Sequence, residues 1–405
     1  MGAYVPLVPL PASRAMAALS VLALLVAGRA EAAPRGIELR NVHTDEGRVT
    51  ATLGAQGSRV ALTLDPGLQR EAERLLARAA APEAAIVASD VRTGRILAWA
   101  SRGDRDYVAT PLAPSASLFK VVTAAALLES GRVSPATRQC YSGGAHAIGP
   151  HDIVDHPRSD GACTTLGEAL GRSVNVVFAR LAVKHLSAPA LRAKALDLGF
   201  AGEVPIDVPI GASDLRVPDD ALGMARAAAG FWNGRLSPLG ALFAMQTIAN
   251  GGERIRLSLL DRGPATRAPA GRAVSVATAR TLRQMLEVTT KRGTCARAFR
   301  GKDGSPLLAS MPVAAKTGTL VGGRPSRMFS WFASFAPSDR PEIAVAVMLA
   351  NDLQWRTKAN AVGRDLLAYY FTRAPRRREP RRSATRAPSA AAANVKGSQP
   401  SRGSL

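Results

Sequence analysis

The sequence predicts an α/β (α+β) fold, with an antiparallel sheet flanked by helices and an all-helical lobe closing one side of a cleft. Strand-like runs at residues 84–88 and 95–100, split by Thr93-Gly94, predict a hairpin early in the chain. Two more, at residues 327–335 and 342–349, predict antiparallel neighbours near its end. Helical stretches fill much of the length between them.

Residues 33–57 read as a short lead-in, too small for a separate domain. Residues 59–64 then alternate like a strand, and Asp65-Pro66 supplies an N-cap and a helix-opening proline. Leu68, Ala72, Leu75 and Ala79 recur at helical spacing. The apolar run 118–128 predicts a buried helix ended by Gly131. Thr165 with Glu168 forms a capping-box pattern whose helix stops near Gly171, and a second helix follows over 176–186. Ser237-Pro238 opens another, which ends at Asn250-Gly-Gly252. Residues 312–319 are short, apolar and punctuated by Gly318, as a strand bordering a cleft would be. A closing helix is predicted over 359–371.

At 405 residues the chain has ample material for a core, in one large domain or two ordinary ones. A hydrophobic content of 47% with 21% charged residues belongs to a globular protein. The net charge of +22 raises a nucleic-acid reading. That reading is rejected: Arg, Ala and Gly are abundant everywhere, and no RRM, zinc-finger or aromatic-basic strip occurs. The surplus charge serves at most to attract anionic cell-wall polymers or membrane headgroups.

Arg14 precedes an apolar run at 16–27, followed by Ala30-Glu31-Ala32, a small-x-small cleavage pattern. That run falls short of the roughly 20 apolar residues a bilayer span requires. Residues 1–32 are therefore expected to be an export signal peptide, placing the protein in the periplasm or cell envelope. An uncleaved signal acting as a weak anchor stays open. Three cysteines allow three single bridges. In an exported protein Cys140 and Cys163 are the attractive pair, against the alternative of three unpaired, partly buried thiols. Residues 372–405 carry nine basic residues and one acidic, with almost nothing to build a core. Residues 373–405 read as a disordered basic tail.

Three short strings carry the chemistry: Ser117-Leu-Phe-Lys120, Ser173-Val-Asn175 and Lys316-Thr-Gly-Thr319. Singly the first two are weak, but the ordered set describes a serine acyl-transfer site in which a lysine activates the nucleophile. Lysine is scarce here, at 8 residues against 45 Arg, yet it fills both slots that need it. A buried lysine can lose its proton and act as a base, whereas arginine stays charged. Lys120 lies one helical turn beyond Ser117, on the same face. His146, His151, His156, Asp152 and Asp155 cluster in sequence, but irregularly spaced loop histidines read as solvated, so no metal is expected. No phosphate-cradling or dinucleotide motif occurs, and the chemistry needs no cofactor.

With these strings in place, the chain resembles the transpeptidase domain of penicillin-binding proteins, within the serine D,D-peptidase and β-lactamase-like superfamily. The resemblance extends to Leu62-Thr-Leu-Asp-Pro-Gly-Leu-Gln69, Thr93-Gly94-Arg95-Ile-Leu-Ala-Trp99, Ile248-Ala-Asn-Gly-Gly252, Gly293-Thr294 and Trp331-Phe332. It covers most of residues 58–372, read as one penicillin-binding transpeptidase domain. Larger members carry a glycosyltransferase or pedestal domain, for which there is no room.

The resemblance implies a penicillin-sensitive serine D,D-transpeptidase, with D,D-carboxypeptidase action as a variant, working on peptidoglycan stem peptides that end in D-alanyl-D-alanine. Stem peptides and β-lactams would be its ligands. It also implies roles. Ser117 is the nucleophile, Lys120 its base, Ser173 a proton relay and Asn175 a partner for the peptide amide. Lys316 supplies positive potential. Thr317 and Thr319 hold the terminal carboxylate, and Gly318 permits close approach of substrate. The backbone N–H groups of Ser117 and Thr319 form an oxyanion hole. Ser173 and Asn175 are also favoured helix N-caps, and only their motif context points to catalysis. A serine β-lactamase is the alternative. It is disfavoured by Ser-Val-Asn in place of Ser-Asp-Asn, and by the lack of a Glu-x-x-Leu-Asn-type string between Asn175 and Lys316. A penicillin-binding sensor without turnover is the other.

Overall fold

The computed structural model describes residues 37–373, except 46, 54–57, 145–146, 232–233, 309–310, 324–325 and 354–356. All of these fall in one unit, Pro34–Leu405. The expected signal peptide, the tail beyond residue 373 and His146 lie outside the described residues.

β1 (Ile37–Asp45), β2 (Arg48–Leu53) and β3 (Ser58–Ala61) form a three-stranded antiparallel sheet. The expected lead-in thus carries two strands. Val49 and Ala51 on β2 are buried and join the main core, with Leu39, Val42 and Val60 packed against it. Short strands take much of their stability from pairing, and β2 pairs with both β1 and β3.

α1 (Pro66–Ala79) starts where the Asp65 carboxylate accepts the N–H groups of Gly67 and Leu68 at 2.9 Å. β4 (Glu83–Asp90) and β5 (Ile96–Arg102) make the expected hairpin. A 3₁₀ turn at Ala116–Phe119 leads into α2 (Lys120–Glu129). β6 (Arg138–Tyr141) and β7 (Ala162–Thr165) pair, with Cys140 and Cys163 opposite each other and disulfide-bonded. Then come α3 (Leu166–Arg172), α4 (Asn175–His185), α5 (Ala188–Asp197), β8 (Asp214–Leu215), α6 (Ala221–Ala229) and β9 (Gly234–Arg235). Thr165 caps α3 through the Glu168 N–H, but the Glu168 carboxylate turns outward to Arg172 and Arg292 instead of closing the box.

α7 (Pro238–Ala249) is apolar on all sides and buried along its length, capped by Ser237. β10 (Glu253–Ile255), β11 (Pro269–Arg272), α8 (Val276–Lys291), β12 (Ala314–Gly322), β13 (Arg327–Ala336), β14 (Ile343–Asn351) and α9 (Ala359–Arg373) complete the described chain.

The central sheet runs β12-β13-β14-β4-β5, antiparallel throughout. Both faces are covered, so its inner strands read as unbroken apolar runs. Ile86, Val345, Val347 and Phe332 pack on the side of α1 and α9. Val87, Ala346, Met348 and Trp331 pack on the side of α2, α7 and α8. This leaves β12 at one edge, beside the turn that holds Ser117. Trp331 fixes that spacing by donating its indole N–H to the Pro114 carbonyl at 2.9 Å. No helix among the described residues is long and apolar enough to cross a membrane.

Candidate active site

Ser117, Ser173, Asn175, Thr317, Gly318 and Thr319 line one cleft of about 610 Å³. Lys120 and Lys316 lie beneath it, fully buried. The three strings, spread over residues 117–319, converge because α2 and α4 share the helical lobe while β12 edges the sheet.

Lys120 Nζ is 2.8 Å from Ser117 Oγ, 2.7 Å from Asn175 Oδ1 and 2.6 Å from the Ala229 carbonyl oxygen. None of these partners is anionic. Burial pushes the amine well below its ordinary range, and the charge of Lys316 pushes the same way. A neutral amine has two N–H bonds and one lone pair. Asn175 Oδ1 and the Ala229 carbonyl can only accept, so in the neutral form they would take both N–H groups and leave the lone pair for Ser117. Asn175 is itself oriented, since its Nδ2 donates to the Gly144 carbonyl at 3.3 Å.

Lys316 Nζ donates to Ser173 Oγ at 3.1 Å and to the Thr317 carbonyl at 2.9 Å. Burial lowers its pKa from 10.5 to about 7. Ser173 ends α3 in a left-handed conformation, φ 62°, and Val174 precedes α4 without a side-chain cap. Neither Ser173 nor Asn175 is therefore an N-cap. Ala116, just before Ser117, is also left-handed at φ 48°. Such non-glycine strain costs on the order of 1–3 kcal/mol and gathers at functional sites. Gly230 accommodates it, because a Cβ there would lie 2.1 Å from the Ala116 carbonyl oxygen.

Gly318 also permits a close approach within the protein. A Cβ on it would point at Ala116 Cβ (3.2 Å) and the Ser115 carbonyl oxygen (3.3 Å), so the approach it allows is between β12 and the nucleophile's own turn. Thr319 is exposed, and Thr317 Oγ1 lies 2.5 Å from Thr294 Oγ1. Thr294 also lines the cleft and was missed as a site residue, although Gly293-Thr294 marks the end of α8 in sequence. Ala229 and Gly230 were missed too, because they act through the backbone and carry no motif, and Trp331 stood out only within Trp331-Phe332.

Cys295 is a buried free thiol, and burial raises its pKa to about 12, which makes it a poor nucleophile. Among the described residues no group of three or more His, Cys, Asp and Glu could hold a metal. His151 and His156 stack on each other, ring centroids 3.6 Å apart.

Similarity to known proteins agrees with this geometry. Residues 84–368 match the family model described as penicillin binding protein transpeptidase domain. A peptidoglycan D,D-transpeptidase, PbpA, of Mycolicibacterium smegmatis is 28% identical over 264 residues, covering 58% of this chain and 49% of that protein. The chain spans about half the length of the curated relatives it matches. Among solved structures, the D,D-transpeptidase domain of a peptidoglycan glycosyltransferase from Eggerthella lenta superposes with a TM-score of 0.65 at 24% identity, over 79% of this chain and 85% of that one. The penicillin G acyl-enzyme of penicillin-binding protein A from M. tuberculosis gives 0.60 at 23%, over 78% and 80%. Those two likenesses establish the shared fold, and the family match spans both the sheet and the helical lobe that meet at Ser117. The chain belongs to the family of penicillin-binding protein transpeptidase domains.

Proposed function

We propose that this protein is a penicillin-sensitive serine D,D-transpeptidase acting on stem peptides that end in D-alanyl-D-alanine. The observation that carries this reading is the buried Lys120 amine, 2.8 Å from Ser117 Oγ and otherwise contacting only the carbonyl oxygens of Asn175 and Ala229. Ser117 Oγ attacks the penultimate D-alanine carbonyl while its proton passes to Lys120. Base help of this kind is worth roughly 10²–10⁴ in rate. The oxyanion is received by the backbone N–H groups of Ser117 and Thr319, each worth about 10²–10³. Ser173, held by Lys316, returns a proton to the departing amine of D-alanine. A stem-peptide amine then attacks the acyl-enzyme ester and frees Ser117; water in its place gives the carboxypeptidase outcome. Thr317 and Thr319 hold the terminal carboxylate. The substrate lies outside the cytoplasm, which fits the export pattern at residues 1–32, and the basic tail would attract anionic envelope polymers.

The test incubates wild type, Ser117→Ala and Lys120→Arg with a fluorescent penicillin, then with a stem pentapeptide and an amine acceptor. Wild type should label and form dimeric product, and both variants should lose labelling. Release of D-alanine without dimer would assign a carboxypeptidase. Rapid penicillin turnover would assign the β-lactamase, and labelling with no peptide product the sensor.

A further inference from the structure

A second cavity adjoins the cleft. It measures about 660 Å³ and shares Phe231 with the compartment that holds Ser117. α6 contributes to both. Its last residue, Ala229, lines the cleft and accepts the Lys120 amine, while Arg226 and Ala227 line the second cavity. Ile148 lines it too, from the segment between β6 and β7 that also carries Gly144.

The floor of this cavity is apolar and well packed. Ile148 is buried against Val176, Ala179, Ala225 and Ala229, and Phe231 packs on the same cluster. The rim is cationic. Arg216 and Arg226 are both exposed and border the cavity. Arg226 is held by its Nε, which donates to the Ile148 carbonyl at 2.8 Å. Among the described residues neither guanidinium pairs with a carboxylate. Asp220 is the one acidic residue described on the lining, and its Oδ1 is committed to the α6 cap, accepting the Gly223 N–H at 2.7 Å. Guanidinium forks match the planar geometry of a carboxylate and cannot lose their charge. With an apolar floor between them and the catalytic cleft, they suit an acidic peptide better than a phosphate polymer, which has no apolar body to lay there.

We propose that this cavity binds a side-chain carboxylate of a stem peptide, through Arg216 and Arg226, while the reacting end of the peptides lies at Ser117. The carboxylate belongs to the donor or to the acceptor, and the chemistry of its recognition is the same for either. This rests on the D,D-transpeptidase reading above and adds which stem peptides are preferred, by their charge at a distance from the scissile bond.

The test uses stem pentapeptides ending in D-alanyl-D-alanine, with the side-chain carboxylate free or converted to its amide. Free and amidated donors are crossed with free and amidated acceptor stems. D-alanine release and dimer formation are measured for wild type, Arg216→Gln and Arg226→Gln, and penicillin G acylation serves as a control. Wild type should prefer a free carboxylate in one of the two positions. Each variant should lose about tenfold there, through KM with kcat kept, and lose nothing on the amide. A loss in D-alanine release assigns the carboxylate to the donor; a loss in dimer alone assigns it to the acceptor. Penicillin G has no carboxylate on its acyl side chain and should acylate all three proteins equally. A variant that also slows penicillin G acts on the surroundings of Ser117, which overturns the role given to that arginine. Equal use of free and amidated peptides by wild type, or variants that slow both forms alike, overturns the pocket and leaves the acyl-transfer reading standing. Wild type that releases D-alanine from none of the peptides overturns both.

Discussion

At the scale of single residues, the site depends on burying amines that water would keep charged. Lys316 shows the consequence for stability. Its proton is held to about pH 7 in the native protein and to about 10.5 once unfolded. Between those values the unfolded chain binds more protons, so stability rises with pH; below pH 7 the penalty is complete. Urea unfolding at pH 7, 8.5 and 10 should give a wild-type slope steeper than that of Lys316→Met by on the order of 1 kcal/mol per pH unit. Matching slopes would mean that Lys316 is not neutralised by burial. The residue types at these positions were legible in sequence, since lysine, unlike arginine, can release its proton beside a serine. Their lowered proton affinity was not, because it follows from burial and, for Lys120, from the nearby charge of Lys316.

At the scale of elements, the segment between β6 and β7 holds the site from outside it. Arg180 on α4 is fully buried and gathers that segment, donating to the carbonyls of Cys140 and Asp152 and to Asp160. Its hydrogen bonds keep the Asp160 carboxyl down at about 2. The Cys140–Cys163 bond closes the segment at its base. The result is the Gly144 carbonyl set against Asn175 Nδ2. Gly144 has φ 64°, and a Cβ there would meet Val176 Cγ2 at 1.9 Å. Gly144→Ala should therefore displace the segment, release Asn175 and slow penicillin acylation by on the order of 10²-fold, with far-UV circular dichroism preserved. Unchanged acylation in a folded variant would show that Asn175 needs no outside anchor. The sequence marked this stretch only as a histidine-rich loop, because Arg180 and Gly144 belong to no motif and meet the site through main-chain groups.

At the scale of the molecule, the candidate site is shared between the helical lobe and the sheet. Ser117, Lys120, Ser173 and Asn175 come from the helical lobe, while Lys316 to Thr319 come from the edge of the sheet. An acyl group on Ser117 that also contacts β12 joins the two. Penicillin should therefore raise the melting temperature of wild type and leave that of Ser117→Ala unchanged, as differential scanning fluorimetry would record. An equal shift in both proteins would place the ligand somewhere other than on Ser117.

The sequence by itself determined the sheet-and-helix class, most element boundaries and the candidate side chains that meet in the cleft. Those rest on local chemistry: apolar periodicity, caps such as Asp65 and Ser237, and short strings whose spacing matches one helical turn. Tertiary structure alone decided that β14 lies beside β4, which makes β12 an edge strand, and that β1 and β2 build a second sheet. It also decided the strained conformations of Ala116 and Ser173, the acceptors that orient Lys120, and the cavity that meets the cleft at Phe231. These arise from contacts between segments distant in sequence, and no residue carries a local sign of the neighbour it will meet.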